Sequence, residues 1–392
     1  MRKRAMRKAA VLILAVVLLA GNAALAVGYR TSVGEEPDRI PVVVVSGTPH
    51  DMGLALGTLM KAEISAFTPR YFEAIQQRGG DRYTDAALDA AWELQSKYMN
   101  PRYIEEMKGV AEGSGVPFDV IRRAHMVPVV SAYSCSAVAV WGDASKDKHL
   151  YQIRNLDYST RAHLQDVPMV AVYVPEEGIP HINVSFAGVI GVNTGMNAEG
   201  ITLSEVGDTP GRDSPFDLDG VHFMSLFRDI LYDAHDLDQA VKMVQDAKRI
   251  KKYHYVIGDG KAPKAVKMRA HAPELLIWGD NDPQDELAPN ILANIVYHAE
   301  GRDPVAFAHL KRYSGDYDAD AMVQLSKAIG SLGGNLLNAV YDATALECWV
   351  AYANGAEECA YRRPYVHIKL SDYVQAPFNA KPENVKIEAS YP

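Results

Sequence analysis

The hydrophobic pattern of the chain changes its period near residue 134. Before that point, apolar side chains recur every three or four positions, which predicts helices. The segments that show this spacing are "DMGLALGTLMKAEISAFTPRYFEAIQ", "DAALDAAWELQSKYM" and "NPRYIEEMKGVAEGSG". Ahead of them, a polar leader at Val27–Arg39 is followed by the β-branched run "IPVVVVSG", which predicts one strand. The N-terminal part is therefore expected to be mainly helical.

From Cys135 onward, alternating patterns and turn residues predict a series of strands interrupted by helices. The first strands are "CSAVAVWGDA", "HLYQIRNLDY", "MVAVYVP", "INVSFAGVIGV" and "GITLSEVG", and two helices follow, "FMSLFRDILYDA" and "LDQAVKMVQDAKR". The later elements are the strands "HYVIGDG", "AVKMRA" and "ELLIWG", helices at Val305–Tyr313 and Ala319–Ile329, and the strands "NLLNAVYD", "ECWVAYANG" and "YVHIKL". This order predicts an α+β architecture of stacked sheets with helices outside.

The first 26 residues have the pattern of a cleavable signal peptide. A basic start, "MRKRAMRK", precedes a short apolar run and the small residues Ala24–Ala26. We therefore expect export to the periplasm or the medium. Asn22 stands where a lipidated cysteine would be needed, so no stable membrane anchor is expected. Residues 374–392 are expected to form a peripheral tail.

The charge of the chain excludes two classes of partner. The signal segment contains five basic residues and no acidic one, so its removal changes the formal net charge from −9 to −14. Such a balance argues against binding to nucleic acid or to anionic membrane surfaces. The twelve histidines form no zinc-like cluster with cysteine or acidic residues, and no Gly-rich phosphate loop is present. We expect neither a metal nor a cofactor.

The stretch "SAYSCSAVAVW" places Cys135 at the start of a predicted strand. Nineteen residues later, "RNLDY" supplies Arg154 and Asp157 at the end of the next strand, and a hairpin would bring them back beside Cys135. A guanidinium next to a thiol lowers the thiol pKa and favours the nucleophilic thiolate. These residues predict a nucleophile with two charged partners.

No histidine lies close in sequence to act as the base. Cleavage of the Ser134–Cys135 bond would instead give Cys135 a free α-amino group, whose unperturbed pKa of roughly 7.7–8.0 suits a general base. Asp157 would hold that amine in place. Nucleophile and base would then belong to the same residue, and cleavage would separate residues 27–134 from residues 135–392.

Simpler interpretations remain open for these residues. A cysteine in an apolar stretch is usually a buried small hydrophobe, and Arg154 with Asp157 could form an ordinary ion pair. Cys348 and Cys359 flank a predicted hairpin and could pair in an oxidising compartment, or could remain separate thiols.

Five motifs occur in an order that resembles one known family. They are "GTPHDMGLALG", "YIEEMKGVAEGSGV", Cys135, "RNLDY" and "GMNAEGITLSE". The chain resembles, from Pro41 to Tyr373, the acyl-coenzyme A:6-aminopenicillanic acid acyltransferase (isopenicillin N acyltransferase) family, peptidase family C45. This family is similar to choloylglycine hydrolases and acid ceramidase. The resemblance implies an N-terminal-nucleophile (Ntn) hydrolase, with a four-layer αββα sandwich at residues 135–373 after a helical segment at residues 27–134.

The resemblance also implies roles for individual residues. Cys135 would be nucleophile and base, Asp157 would orient its amine, and Arg154 would bind the thiolate or the substrate. An asparagine side chain would stabilise the oxyanion, and the candidate is Asn294 in "ILANIVYH". Tyr297 or Asn193 could take its place, and the backbone near Glu205–Gly207 is a candidate second donor.

The expected function is that of an exported cysteine Ntn amidohydrolase or acyltransferase. It would cleave itself at Ser134–Cys135 and then act on a small-molecule N-acyl amide through a Cys135 thioester. The alternatives are a non-catalytic binding protein on the same scaffold and a ceramidase- or phospholipase-like lipid hydrolase. Acyl chain, leaving group and oligomeric state are left open by the sequence.

Overall fold

The computed structural model describes residues 27–131, 133–207, 218–272, 274–287 and 292–374. The expected signal peptide at residues 1–26 lies outside the described residues, as does all but the first residue of the expected tail.

Fifteen strands and nine α-helices lie in the described part of the chain. The strands are β1 Val27–Val33, β2 Ile40–Gly47, β3 Ser134–Gly142, β4 Lys148–Asp157, β5 Pro168–Pro175, β6 His181–Phe186, β7 Thr194–Asn197, β8 Ile201–Val206, β9 Lys252–Asp259, β10 Lys264–His271, β11 Leu275–Trp278, β12 Ile295–Ala299, β13 Leu337–Asp342, β14 Glu347–Tyr352 and β15 Val366–Lys369. The helices are α1 Pro49–Leu59, α2 Lys61–Gly79, α3 Asp85–Gln95, α4 Pro101–Ser114, α5 Phe118–Val130, α6 Phe223–Asp233, α7 Leu237–Asp246, α8 Asp303–Tyr313 and α9 Ala319–Ala328.

The strands form two sheets. The larger one has nine strands in the order β1-β2-β5-β6-β7-β8-β9-β10-β11, and the smaller one has six in the order β12-β3-β4-β13-β14-β15. Neighbours are antiparallel except for β2 and β5, which run parallel. β3 and β4 of the smaller sheet pack against β8 and β9 of the larger one, so the sheets are stacked face to face.

Two buried clusters fill the space around the smaller sheet. Because side chains alternate along a strand, β3 supplies residues to both clusters. Cys135, Ala137 and Ala139 face the core that lies between the sheets. Val138 and Val140 face a second cluster, which also contains apolar residues of α8 and α9. Helices α6 and α7 contact the larger sheet. The predicted α+β arrangement of two sheets with helices is confirmed.

The segment before Cys135 is less purely helical than expected. The prediction of a polar leader at Val27–Arg39 is wrong in part, because Val27–Val33 forms β1 and pairs with β2. The pairing of β2 with β5 joins this segment to the large sheet. β1 was missed because its sequence, "VGYRTSV", has too few apolar residues to signal a strand before its partner is known.

Other elements follow the sequence more closely. Helix α4 begins as expected: the Asn100 side chain accepts from the backbone N–H of Arg102, and Pro101 is the first helical residue. The helix ends before Gly115, which has a φ of 76°; glycine adopts this left-handed conformation without steric cost. Helix α5, with Pro128 in its interior, and the short strands β7 and β12 were not predicted.

Candidate active site

The hairpin formed by β3 and β4 brings the predicted residues together. In its antiparallel register, Ser134 faces Asp157, Cys135 faces Leu156, and Ala137 faces Arg154. Cys135 and Arg154 are both fully buried. The sequence-based expectation that Arg154 and Asp157 return beside Cys135 is therefore met by the geometry.

A buried ion pair lies next to the thiol. Arg154 Nη2 is 3.2 Å from Glu205 Oε2, and neither side chain is exposed. The Tyr133 hydroxyl donates to Glu205 Oε1 at 3.1 Å. Burial raises the pKa of Glu205 to about 7, while the positive charge of Arg154 opposes the rise. The sequence had indicated only the backbone near Glu205; its carboxylate was missed because β8 is brought here by sheet stacking.

The acidity of the thiol differs from the expectation. Burial raises the pKa of Cys135 to about 12, whereas Arg154 and the backbone N–H of Gly207 act to lower it. The predicted direction of the Arg154 effect is right, but the predicted net lowering is wrong. Desolvation disfavours the thiolate, and the charges of Glu205 and Asp157 partly offset the guanidinium.

Asp157 is held by groups from the segment between β12 and β13. Its carboxylate pairs with Arg302 and accepts from the backbone N–H of Ser331 at 3.1 Å and from Asn335 Nδ2 at 2.9 Å. Burial raises the pKa of Asp157 to about 6, and Arg302 most strongly opposes this rise. Arg302 Nη2 also donates to Ser136 Oγ at 2.9 Å.

Arg302 and Asn335 were not found from the sequence. Both are more than 140 residues away from Asp157 along the chain. A motif of neighbouring residues cannot indicate contacts between residues so far apart in the sequence. Together with the register of β3 and β4, they fix the Asp157 carboxylate beside the Ser134–Cys135 bond.

The predicted oxyanion donor, Asn294, lies elsewhere. It precedes β12, and its carbonyl accepts from the N–H of Trp141 at 3.0 Å. Trp141 is six residues from Cys135 on the same strand, which at about 3.3 Å per residue is roughly 20 Å. The side chain of Asn294 accepts instead from the N–H of Asp143. Asn294 is therefore a turn residue, and its assignment as a donor at Cys135 is wrong.

The other candidate donors lie on different faces of the smaller sheet. Tyr297 faces Val138 across the β12–β3 pair and belongs to the cluster on the face opposite Cys135. Asn193 lies on the Cys135 side, where it lines an apolar pocket together with Tyr133 and Leu156. Gly207 is hydrogen bonded to the thiol through its backbone N–H. Of the candidates, the Gly207 N–H contacts the thiol, and Asn193 shares a pocket wall with Leu156, which faces Cys135.

One histidine approaches the site through β12. His298 faces Ala137 in the register, so it shares the face of Cys135. Its ring packs against His254, with ring centres 4.7 Å apart. Burial lowers the pKa of His254 to about 2, which makes that ring a poor base near neutral pH.

The apolar pocket lies between the helical segment and the strands. The space between its walls is about 770 Å³, a figure that includes open solvent at the mouth. Ser131, Tyr133 and Leu156, which flank or face Cys135, form one part of its wall. The rest of the wall is mainly apolar and includes Phe67, Tyr71, Ile121, Val127, Phe186 and Met224.

Among the described residues, one group of side chains has the spacing of a metal site. Asp147, His149 and Asp342 have ligand atoms within 4.8 Å of one another. Asp147 and His149 lie at the start of β4, and Asp342 lies beside them at the end of β13, at the far end of the hairpin from Asp157. His149 Nδ1 is already 2.8 Å from Asp342, and the Tyr151 hydroxyl donates to Asp147. We assign no metal to these paired groups. The three cysteines are unpaired, and Cys359 is the most exposed of them.

Comparisons with known proteins agree with the family expected from the motifs. Residues 144–275 match the family model "Acyl-coenzyme A:6-aminopenicillanic acid acyl-transferase". This range begins after Cys135 and includes Arg154, Asp157 and Glu205.

Two curated relatives come from Dictyostelium discoideum. "Protein dcd1A" is 24% identical over 88% of this chain and 88% of its own length. "Protein dcd1B" is 23% identical over 80% of this chain and 68% of its own length. Among solved structures, the Caenorhabditis elegans N-acylethanolamine-hydrolyzing acid amidase ortholog aligns with a TM-score of 0.43 and 14% identity, over 54% of this chain and 93% of that chain.

The match to the family model covers about a third of the chain and shows similarity to that family over this segment. The recognition made from the five motifs is confirmed. Among the described residues, no helix combines the length and apolar character needed to cross a membrane.

Proposed function

We propose that this protein is an exported cysteine Ntn amidohydrolase or acyltransferase with the four-layer αββα sandwich of that class. It cleaves itself between Ser134 and Cys135 and then acts on a small-molecule N-acyl amide. The observation that carries the proposal is the position of Asp157. Its carboxylate faces Ser134 in the β3–β4 register, where it can hold the α-amine that cleavage gives to Cys135.

In this mechanism, the Cys135 amine takes the thiol proton and the thiolate attacks the substrate carbonyl. Asp157, itself fixed by Arg302 and Asn335, orients the amine. The Gly207 N–H and the Asn193 side chain stabilise the oxyanion, and one such donor typically contributes about 2.7–4 kcal/mol. The protonated amine then protonates the leaving nitrogen. Water, or an acceptor amine in a transferase reaction, resolves the thioester.

The apolar pocket favours an aliphatic or aromatic acyl group as the part of the substrate bound on the helical side. The same pocket supports the second candidate, a ceramidase-like lipid hydrolase, because a long acyl chain would bury its methylene groups there. A non-catalytic binding protein gains no such support from the arrangement around Asp157.

The test compares the wild type with Cys135→Ala and Cys135→Ser. Denaturing mass spectrometry should find two fragments in the wild type and one intact chain in Cys135→Ala. Each protein is then assayed on N-acyl amides that share one amine and differ in acyl length. We expect no turnover by Cys135→Ala and much weaker turnover by Cys135→Ser, because an alkoxide forms less readily than a thiolate. Full activity of a single intact chain would refute the proposed mechanism.

A further inference from the structure

The segment directly before Cys135 is held by a buried lysine of the core. Lys251, just ahead of β9, donates from Nζ to the backbone carbonyl of Ser131 at 2.7 Å. Only 3% of Lys251 is exposed, and an ammonium is costly to bury without such contacts. Its backbone φ of 51° lies in the left-handed region, which a non-glycine residue keeps only when its surroundings impose it.

A carboxylate approaches the same segment at its other end. Glu300 directly follows β12, and Ala299 of β12 lies opposite Ser136 of the antiparallel strand β3. The next residue along, Glu300, therefore lies opposite Cys135. Burial raises the pKa of the Glu300 carboxylate, and the nearby Ser134 side chain acts to lower it. The second carboxylate oxygen, Oε2, is buried without a partner among the described residues.

Further contacts fix Ser131. Its hydroxyl donates to the carbonyl of Val127 at 2.7 Å and lies 3.0 Å from the Tyr83 hydroxyl. Ser131 therefore has both its side chain and its carbonyl held, three residues before Ser134.

We propose that Lys251 and Glu300 act as a clamp on Ser131 and Ser134 that sets the rate of self-cleavage at the Ser134–Cys135 bond. This inference rests on the self-cleavage of the proposed function. Lys251 and Glu300 are positioning residues, because they contact the segment and not the reacting atoms.

Position matters here because of the chemistry of the step. The Cys135 sulfur bonds to the Ser134 carbonyl carbon, the bond from that carbon to the Cys135 nitrogen breaks, and the thiol proton ends on the nitrogen. Water then adds its hydroxyl to the carbon, its remaining proton goes to the sulfur as the carbon–sulfur bond breaks, and the resulting Ser134 carboxylic acid releases its proton to solvent. A buried thiol is seldom ionised, so the reaction depends on holding the carbonyl in line with the sulfur.

The experiment follows cleavage of freshly purified full-length precursor by denaturing mass spectrometry. We expect Lys251→Met and Glu300→Gln each to slow cleavage at least 10-fold, since a misplacement of about 1 Å can cost up to 10²-fold. Lys251→Arg, which keeps the charge and a donor, should retain most of the rate. The exposed residues Lys264 and Glu105 provide matched controls, Lys264→Met and Glu105→Gln, which should cleave like the wild type.

A double-mutant cycle tests the Glu300 contact itself. Ser134→Ala removes the other side of the contact between Ser134 and Glu300, so Ser134→Ala/Glu300→Gln should cleave no more slowly than the slower single variant. Ser134→Ala leaves the core side chains in place, so it probes the contact even if Glu300→Gln does not fold. If the fold-losses in cleavage rate of the two single variants instead multiplied in the double variant, the contact between Ser134 and Glu300 would have no role in cleavage.

Turnover and stability separate positioning from a general structural defect. Thermal midpoints are measured for every variant, and turnover is expressed per cleaved chain. The proposal expects the cleavage rate to fall by a larger factor than turnover. Folded variants that cleave at the wild-type rate, or equal losses of cleavage and turnover, overturn the clamp and leave the proposed function intact. A wild-type chain that remains uncut overturns both.

Discussion

At the scale of the residue, Cys135 shows two opposing effects on one thiol. Arg154 favours the thiolate, yet burial raises the pKa of Cys135 to about 12. A thiol in this state is a weak nucleophile near neutral pH. The proposed α-amine base answers this difficulty, because it takes the proton during attack and does not require a thiolate beforehand.

Asparagine substitutions test which side chain serves the oxyanion. We expect Asn193→Ala to lower kcat by about 10²–10³, the usual effect of losing one donor. Asn294→Ala should leave kcat within about twofold of the wild type, because Asn294 lies roughly 20 Å from Cys135 along β3. Steady-state kinetics on one acyl-amide substrate gives both values. If Asn294→Ala lost most of its kcat while Asn193→Ala kept the wild-type kcat, the oxyanion donor would be Asn294 and not Asn193.

At the scale of the element, two helices approach each other closely through glycine. α1 and α4 pack directly against each other. Gly53 and Gly57 of α1 face α4, and Gly109 and Gly113 of α4 face α1. A Cβ atom at Gly109 would lie 2.2 Å from the carbonyl oxygen of His50. The backbones can pack this way only without side chains at these positions, which gives a physical reason for two motifs of the family resemblance.

We therefore expect Gly109→Ala to destabilise the protein by about 1–3 kcal/mol, the usual cost of overpacking. Chemical denaturation before cleavage measures the change. Gly279→Ala is the control, because a Cβ there meets no atom within 4 Å, and its effect should stay within about 0.5 kcal/mol. Equal midpoints for the two variants would contradict this account of the helix contact.

At the scale of the whole molecule, the two parts separated by the proposed cleavage share one core. β1 and β2 extend the sheet that contains β5 to β11. Arg228 of α6 donates from Nη2 to both carboxylate oxygens of Glu106 in α4, at 2.9 and 2.7 Å. Both residues are 1% exposed. Neither part has a complete core alone.

The cleaved fragments are accordingly expected to co-elute in native size-exclusion chromatography and to separate only in denaturant. Arg228→Met should destabilise the pair by about 3–5 kcal/mol, because it leaves the Glu106 carboxylate buried without its partner. Glu106→Leu/Arg228→Met should recover much of that loss. Fragments that separate in native buffer, or a double variant less stable than Arg228→Met, would argue against this interface.

The sequence by itself determined the local features of this protein. Alternation and turn residues predicted β3 and β4, and the hairpin between them was enough to place Arg154 and Asp157 beside Cys135. The capping residues Asn100 and Pro101 fixed the start of α4. Such features depend on neighbours within about twenty residues, so the chain encodes them directly.

Tertiary structure decided the rest of the candidate site. The site also contains residues from other strands and loops, namely Glu205, Arg302 and Asn335. Asn294 lies far from Cys135, because the strand register places it at the other end of β3. The net pKa of Cys135 also depends on burial, which no spacing of residues reveals. Desolvation and long-range contacts exist only once both sheets are stacked, and for that reason the sequence could indicate the candidate nucleophile but not its complete surroundings.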